Sequence, residues 1–231
     1  LCSFLYGKER FPLLGDMEMR RTGFYQKHFK RWADCLLALL GLLVAALPLA
    51  LAAVWIPLDS SGPILFSQQR MGRDGKPFRI WKLRTMSVTA PHDVPTRELK
   101  ENSLTPYQRF LRKASIDELP QLWNILKGDM SLVGPRPVVL TERELIALRA
   151  RNGADRVRPG LTGWAQIHGR DEVTDEEKAA LDGEYVRRMS LLLDCRCLLA
   201  TVGKVLRREG VVEGCDRRTQ TGSPVTKKIS A

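Results

Sequence analysis

One uncharged segment constrains this chain more than any other feature of its sequence. Residues 35–58 read CLLALLGLLVAALPLALAAVWIPL and are bounded by Asp34 and Asp59. A helix that crosses the hydrocarbon core of a bilayer needs about 20 predominantly apolar residues, so this run predicts a membrane-embedded helix. No small-residue cleavage pattern follows it, and the run is long, so it does not resemble a cleavable signal peptide. We therefore expect a membrane anchor.

Pro48 lies near the middle of this segment, where the loss of one helix hydrogen bond is expected to kink the chain. Basic residues flank both ends, so the positive-inside rule gives a straight span no preferred orientation. They are Arg20, Arg21, Lys27, Lys30 and Arg31 before the segment, and Arg70, Arg73, Lys76 and Arg79 after it. Two topologies stay open on this evidence. One is an ordinary kinked span, since proline is common in membrane helices. The other is a re-entrant hairpin with both ends in the cytoplasm.

The charge of the chain narrows the classes of partner. With 37 Lys+Arg and 26 Asp+Glu the formal net charge is +11, and such a surplus attracts nucleic acid, anionic lipid or phosphorylated small molecules. Beside an apolar segment, lipid and phosphate are favoured. A nucleic-acid binder would carry exposed aromatic residues among its basic ones. The aromatics Phe78, Trp81, Trp123 and Trp164 instead lie in or beside the motifs described below. We therefore expect no nucleic-acid partner. The five cysteines contain no CxxC pair and indicate neither a disulfide framework nor a zinc site.

Composition and turn residues divide the chain into four segments. Residues 1–19 have no assignable role, 20–62 hold the anchor with its flanks, 63–212 form a globular domain, and 213–231 are a polar, disordered tail. The pattern predicts a mostly helical α+β domain on the cytoplasmic side, with amphipathic surface helices. The predicted elements are a hairpin within 63–86, a long loop at 87–106, a helix over 107–128 broken near Ser115, and helices over 176–189 and 191–208.

Two adjacent acids are the first candidates for chemistry. In the motif SIDELPQ (115–121), Pro120 is tolerated only in the first turn of a helix, and Ser115 is a candidate cap. This arrangement places Asp117 and Glu118 at a helix N-terminus, where the dipole favours carboxylates and phosphates. Such acids are commonly only partners of the dipole. An ionised carboxylate beside a bound phosphate can, however, attack phosphorus.

Arginines held in rigid turns favour the chemical interpretation. Arg136 stands between two prolines in GDMSLVGPRP (128–137), Arg158 opens RPGLTGWAQ (158–166), and Arg170 follows Gly169. A solvated surface arginine rarely needs such rigid support, whereas one that binds phosphate in a bidentate manner does. Neither a GxxxxGK[ST] loop nor a GxGxxG motif is present. Any phosphate must therefore be held by arginines and helix ends.

These motifs together resemble the bacterial sugar transferase family, whose members are monotopic polyprenol-phosphate phosphoglycosyl transferases. The resemblance rests on KLRTM (82–86), SIDELPQ, GDMSLVGPRP, and RPGLTGWAQ with the following Gly-Arg pair, and it extends from about residue 30 to residue 208. It implies that residues 63–212 are a catalytic domain that transfers a sugar-1-phosphate from a UDP-sugar to a polyprenol phosphate such as undecaprenyl phosphate. Release of UMP would accompany the transfer. The place of action would be the cytoplasmic face of the bacterial inner membrane.

The resemblance also assigns roles to residues. Asp117 matches the family nucleophile, and Glu118 completes an Asp-Glu dyad that would ligate Mg²⁺ together with Asp117. Lys82, Arg112 and Arg170 match positions linked to substrate and phosphate binding, and Arg136 and Arg158 occupy motif arginine positions.

In the family the membrane helix is re-entrant and broken at a Ser-Pro pair. Here Leu47 precedes Pro48, and the resemblance still favours the re-entrant form. A non-enzymatic basic membrane scaffold is the alternative, since it would need the anchor but not the arginine-bearing turns.

Overall fold

The uncharged segment lies within one long helix, α1 (Lys30–Asp59), which follows a π-helical turn at Tyr25–Phe29. The structure is a computed structural model that describes residues 24–86, 104–168 and 174–207. Within these ranges, α1 is the one helix long and apolar enough to cross a membrane. Pro48 and Pro57 both lie inside it. The predicted apolar helix is confirmed as an element of the fold and is a candidate membrane anchor.

Six further helices and two small sheets make up the rest of the described chain. The helices are α2 (Pro106–Lys113), α3 (Gln121–Lys127), α4 (Arg143–Asn152), α5 (Trp164–His168), α6 (Asp175–Arg188) and α7 (Leu191–Arg207). The strands are β1 (Leu65–Met71), β2 (Pro77–Leu83), β3 (Ser131–Val133) and β4 (Gly160–Thr162). Short 3-10 turns lie at Arg73–Gly75, Ile116–Glu118 and Ala154–Arg156. This mostly helical architecture with small sheets confirms the predicted α+β class.

A stripe of small side chains attaches α1 to the globular domain. Ala38, Ala45 and Ala52 recur at intervals of seven residues, which is close to two helical turns, and all three are buried. Ala38 belongs to a core cluster with Leu122 and Ile125 of α3, while Ala52 belongs to a second cluster with Leu111 of α2. Large apolar side chains elsewhere on α1 stay exposed, namely Leu36, Leu37, Leu39, Leu40, Leu43, Val44, Leu47, Leu51, Val54, Trp55 and Leu58.

Polar contacts attach both ends of α1 to the same domain. Near its first residue, Lys30 forms an ion pair with Asp194 of α7, and the Asp34 carboxylate accepts hydrogen bonds from the Ser131 hydroxyl (2.7 Å) and the Leu132 amide (3.2 Å). At its last residue, the Asp59 carboxylate accepts hydrogen bonds from the side chains of Thr105 (2.8 Å) and Gln108 (3.1 Å). Elements on either side of α3 therefore contact opposite ends of the anchor.

The predicted hairpin is confirmed as the antiparallel pair β1–β2. Phe66 is opposite Lys82, Gln68 is opposite Ile80, and Arg70 is opposite Phe78. Side chains that face each other in an antiparallel pair lie on the same side of the sheet. Gln68 and Ile80 are buried, so this side of the hairpin faces the interior of the domain.

The second sheet joins two motifs that lie far apart in sequence. Strands β3 and β4 pair in parallel, and beside them the Gly134 amide donates to the Thr162 carbonyl (2.9 Å) and the Gly160 amide donates to the Pro135 carbonyl (2.8 Å). A Cβ atom at Gly160 would lie 2.1 Å from the Gly134 nitrogen. Glycine is therefore required where GDMSLVGPRP and RPGLTGWAQ pack backbone against backbone. This pairing was not among the predictions.

The other helix predictions are confirmed with one correction. The expected break near Ser115 separates α2 from α3, and the helices expected over 176–189 and 191–208 correspond to α6 and α7. The prediction that Ser115 caps the following helix is wrong, because it adopts the left-handed conformation (φ 54°) after α2 and its side chain makes no capping hydrogen bond. Helices α4 and α5 were not predicted. Most of the 87–106 loop, residues 1–19 and the 213–231 tail lie outside the described residues.

Candidate functional site

Asp117 and Glu118 lie in the 3-10 turn at Ile116–Glu118, which connects α2 to α3. The turn begins directly after Ser115, whose amide donates to the Arg112 carbonyl in the last turn of α2 (3.0 Å). Helix α3 itself starts only at Gln121. The two acids therefore precede the α-helix instead of occupying its first turn. Their setting must be explained by the side chains around them.

Glu118 is an ionised carboxylate held by two cations. Its Oε1 atom accepts from the Lys82 ammonium on β2 (2.8 Å) and from the Arg136 guanidinium in the Pro-Arg-Pro turn (3.2 Å). Burial favours the neutral form of Glu118, but the charges of Lys82 and Arg136 outweigh it and hold the pKa of this carboxyl well below its usual range. Glu118 therefore orders the two cations on one side of the turn.

Asp117 has the opposite protonation tendency. It is 8% exposed, and this burial raises its pKa to about 6. The charges of Lys82, Arg112 and Arg136 favour its ionised form, while the charge of Glu118 opposes it. Adjacent carboxyl groups with pKa values moved in opposite directions are expected to have different roles. Asp117 is the one of the two whose pKa is set mainly by burial.

The structure brings together five of the residues predicted from sequence. Lys82, Arg112, Asp117, Glu118 and Arg136 come from β2, α2, the 3-10 turn and the turn after β3. Arg112 lies in the last turn of α2, and its guanidinium contacts the Met86 sulfur at 3.9 Å. Three cations thus surround two acids. Such a site has a positive surplus and suits a diphosphate ligand.

A buried ion pair supports the Pro-Arg-Pro turn from behind. The Arg149 guanidinium of α4 donates to the Asp182 carboxylate of α6 (2.9 and 2.6 Å) and also to the Arg136 carbonyl (2.8 Å). Asp182 is 1% exposed. Sequence reasoning missed both residues, because only the tertiary packing of α4 on α6 reveals their pairing.

Arg158 lies at the C-terminal end of α3, and its predicted phosphate-binding role stays a prediction. Its Nε atom donates to the Gly128 carbonyl (2.8 Å), and Arg31 donates to the carbonyls of Ile125 and Leu126. The pKa of Arg158 is lowered, mainly by burial and then by the nearby charges of Arg31 and Arg73. Together Arg158 and Arg31 satisfy carbonyl groups at the C-terminal end of α3. In this position Arg158 stabilises the end of α3. Its hydrogen bonds within the described residues do not reach the Asp117 cluster.

The remaining predicted site residues stand apart from this cluster. Arg170 lies outside the described residues, so its phosphate-binding role stays a prediction. Pro48 lies within α1, and its role as a re-entrant kink also stays a prediction.

Two carboxylates are available for a magnesium ion that substrate phosphate would also have to ligate. In the described ranges no group of three or more His, Cys, Asp or Glu residues is placed to hold a metal. Mg²⁺ is usually bound by one or two carboxylates and completes its shell with substrate phosphate oxygens and water. The Asp117–Glu118 pair supplies that number of carboxylates.

The chain resembles known proteins over the range that holds this site. Residues 25–208 match the family model described as bacterial sugar transferase. The chain belongs to this family. All five clustered residues and both sheets of this transferase lie within the matched range.

Several curated relatives resemble this transferase over most of its length. It is 42% identical over 185 residues to the uncharacterized sugar transferase EpsL of Bacillus subtilis, a match covering 79% of this chain and 89% of the relative. It is 43% identical over 185 residues to a UDP-glucose:undecaprenyl-phosphate glucose-1-phosphate transferase of Caulobacter vibrioides, covering 77% and 69%. The protein of that same name from Escherichia coli is 39% identical over 183 residues, covering 76% of this chain but 39% of the relative. This transferase thus aligns with less than half of the Escherichia coli protein.

Proposed function

We propose that this transferase moves a sugar-1-phosphate from a UDP-sugar to undecaprenyl phosphate and releases UMP. The observation that carries the proposal is Asp117, a buried carboxylate placed among Lys82, Arg112 and Arg136 beside an ionised Glu118. The names of the relatives from Caulobacter vibrioides and Escherichia coli support the same reaction. They make UDP-glucose the first substrate to test. A relative from Erwinia amylovora is named for UDP-galactose, which is the second.

The first step would be attack on the sugar-bearing phosphorus. A carboxylate oxygen of Asp117 forms a bond to this phosphorus. The bond between the same phosphorus and the oxygen of the UMP phosphate breaks. UMP leaves with that electron pair, and the sugar phosphate stays on Asp117 as an acyl phosphate. Lys82, Arg112 and Arg136 offset the negative charge that develops on the phosphoryl oxygens.

The second step would return the enzyme to its starting state. A phosphate oxygen of undecaprenyl phosphate attacks the same phosphorus, and the bond to Asp117 breaks, which regenerates the carboxylate. The acceptor is a lipid, and the site lies against the anchor: Ile116, the neighbour of Asp117, packs in a cluster with Ala52 and Ile56 of α1. This position supports access to Asp117 from the membrane surface.

Mg²⁺ is part of the proposal. Asp117 and Glu118 would hold it, and when bound it would neutralise charge on the diphosphate. We expect excess EDTA to abolish turnover and added Mg²⁺ to restore it. Undiminished turnover in the chelator would exclude a required divalent cation.

The nucleophile can be tested without the lipid acceptor. Incubation with UDP-glucose or UDP-galactose alone should add the mass of a sugar phosphate to the protein, and protease digestion should locate it on Asp117. Asp117→Asn keeps the size of the side chain and removes its nucleophilic oxygen, so it should form no adduct and lose turnover by roughly a thousandfold or more. Full turnover by Asp117→Asn would refute the assignment.

A matched variant separates chemistry from folding. Asp74→Asn changes an aspartate whose carboxylate pairs with Arg73 in the exposed turn of the hairpin, outside the Asp117 cluster, and should form the adduct at the rate of the unchanged protein. Adduct formation with release of UMP would also distinguish the enzyme from a basic membrane scaffold.

A further inference from the structure

Arg70 lies at the end of β1, on the side of the hairpin that also carries Lys82. In the sequence it is one of the basic residues that follow the apolar segment. The inward-facing position of this side chain brings it close to the Pro-Arg-Pro turn, since its Nη1 atom approaches the Pro137 carbonyl at 3.4 Å. Arg70 therefore borders the Asp117 cluster from the hairpin side.

The hydrogen bonds of Arg70 leave one donor without a partner. Its Nη2 atom donates to the Gln68 side-chain oxygen (2.6 Å), and the Nη1 contact with Pro137 is long. The Nε atom is buried and has no hydrogen-bond partner in the described part of the chain. A buried donor left unsatisfied costs free energy, so such groups in native proteins call for an explanation.

The surroundings of Arg70 also disfavour its positive charge. The pKa of the Arg70 guanidinium is lowered to about 10, mainly by burial and next by the charge of Arg136. The charges of Glu142 and Glu118 oppose this effect. Glu118 already accepts hydrogen bonds from Lys82 and Arg136. Burial and the charge of Arg136 thus disfavour the charged form of Arg70 more than the two carboxylates favour it.

We propose that Arg70 binds the diphosphate of the UDP-sugar together with Arg136. An anionic oxygen would supply the acceptor that the Nε atom lacks, and its charge would offset the repulsion between the two guanidinium groups. This inference rests on the proposed function and adds a binding residue to it. It is a contact with the ligand and not a part of the chemical step.

The test uses two substitutions at this position. Arg70→Met keeps an apolar stem of similar length and removes every donor, while Arg70→Lys keeps the charge but loses the planar fork. We expect Arg70→Met to weaken binding of inorganic pyrophosphate and of UMP by roughly tenfold or more, and to raise KM for the UDP-sugar similarly. Arg70→Lys should fall between this variant and the unchanged protein.

The control is Arg79→Met in the neighbouring strand. Arg79 is exposed and lies on the opposite side of the hairpin. The variant has the same change in net charge, so it reports the effect of overall charge on anion binding. It should bind pyrophosphate and UMP as the unchanged protein does.

Thermal unfolding separates a ligand contact from a structural role. Without ligand, Arg70→Met should unfold at the temperature of the unchanged protein or above it, because removing Arg70 relieves the repulsion from Arg136. It should lose most of the stabilisation that pyrophosphate gives to the unchanged protein. Unaltered affinity for pyrophosphate and UMP in Arg70→Met, or weakening equal to that in Arg79→Met, would overturn the inference. So would a lower unfolding temperature without loss of affinity. If pyrophosphate binding depends on Arg70 but no UDP-sugar yields UMP, the anion contact stands and the proposed function fails.

Discussion

Asp117 and Glu118 are neighbours in sequence whose surroundings move their pKa values in opposite directions. One oxygen of Glu118 accepts hydrogen bonds from both Lys82 and Arg136. Asp117 is buried beside the same cations, and burial is the main influence on its pKa. Burial therefore outweighs the cations at Asp117, and the cations outweigh burial at Glu118. Glu118 stays charged and orders the site, and the pKa of Asp117 is raised to about 6.

This difference predicts the pH dependence of the first step. Only the carboxylate form of Asp117 can attack, and its pKa is raised to about 6, so adduct formation should decline as pH falls through about 6. An ordinary aspartate would keep its activity down to roughly pH 4. Initial rates of adduct formation between pH 4.5 and 8 measure this acidic limb.

Glu118→Gln should move the acidic limb. The negative charge of Glu118 raises the pKa of Asp117, so its removal should lower that pKa and shift the limb to lower pH, even if the maximal rate falls. A limb at the same pH in both proteins would contradict the electrostatic coupling between the two acids.

At the scale of elements, α4 and α6 reach the site through a single buried ion pair. Arg149 joins Asp182 of α6 to the Arg136 carbonyl, and Arg136 in turn contacts Glu118. The prolines on either side restrict the backbone of Arg136 from within the turn. The ion pair restricts it from outside.

Asp182→Asn should be strongly destabilising. Arginine side chains keep their positive charge in proteins, so the substitution leaves a buried charge without its counterion. Removing one partner of a buried pair typically costs about 3–5 kcal/mol. Denaturant unfolding in detergent should show a loss of this size. Arg188→Met is the control, because its pair with Glu184 is exposed (63% for the Arg188 side chain) and should cost about 0–1 kcal/mol. Equal losses in the two variants would contradict the role of Asp182.

At the scale of the whole molecule, the contacts of α1 bear on its topology. A helix of 30 residues is roughly 45 Å long. Thr105 and Gln108 contact the last residue of α1, and Ser131 contacts its first turns. If α1 crossed the membrane as a straight rod, these two sets of contacts would lie on opposite sides of the membrane. The chain between them would then have to cross as short polar helices, which a bilayer does not tolerate. We therefore expect both ends of α1 on the same side.

Two single cysteines in a cysteine-free background can test this expectation. Phe24→Cys lies before α1 at a position that is 79% exposed, and Lys76→Cys lies in the exposed turn of the hairpin after it. In intact spheroplasts a membrane-impermeant thiol reagent should label neither cysteine, and it should label both once the membrane is opened. Labelling of Phe24→Cys alone before opening would identify a span.

Local signals were sufficient for the long apolar helix, the hairpin and the break at Ser115. Each of these depends on residues adjacent in the chain: an unbroken apolar run, turn residues between alternating strands, or a proline that limits helix position. The same holds for α6 and α7, whose boundaries agree with the predicted ranges to within about two residues.

Tertiary contacts decided how the basic residues divide their roles. Lys82 and Arg136 meet Glu118 across 36 and 18 residues of sequence, while Arg158, in an equally suggestive motif, caps α3 through Gly128. The parallel pairing of β3 with β4 and the position of Arg70 likewise follow only from packing. A pKa or a hydrogen bond depends on distance and burial in space, and a linear pattern of charges contains neither quantity.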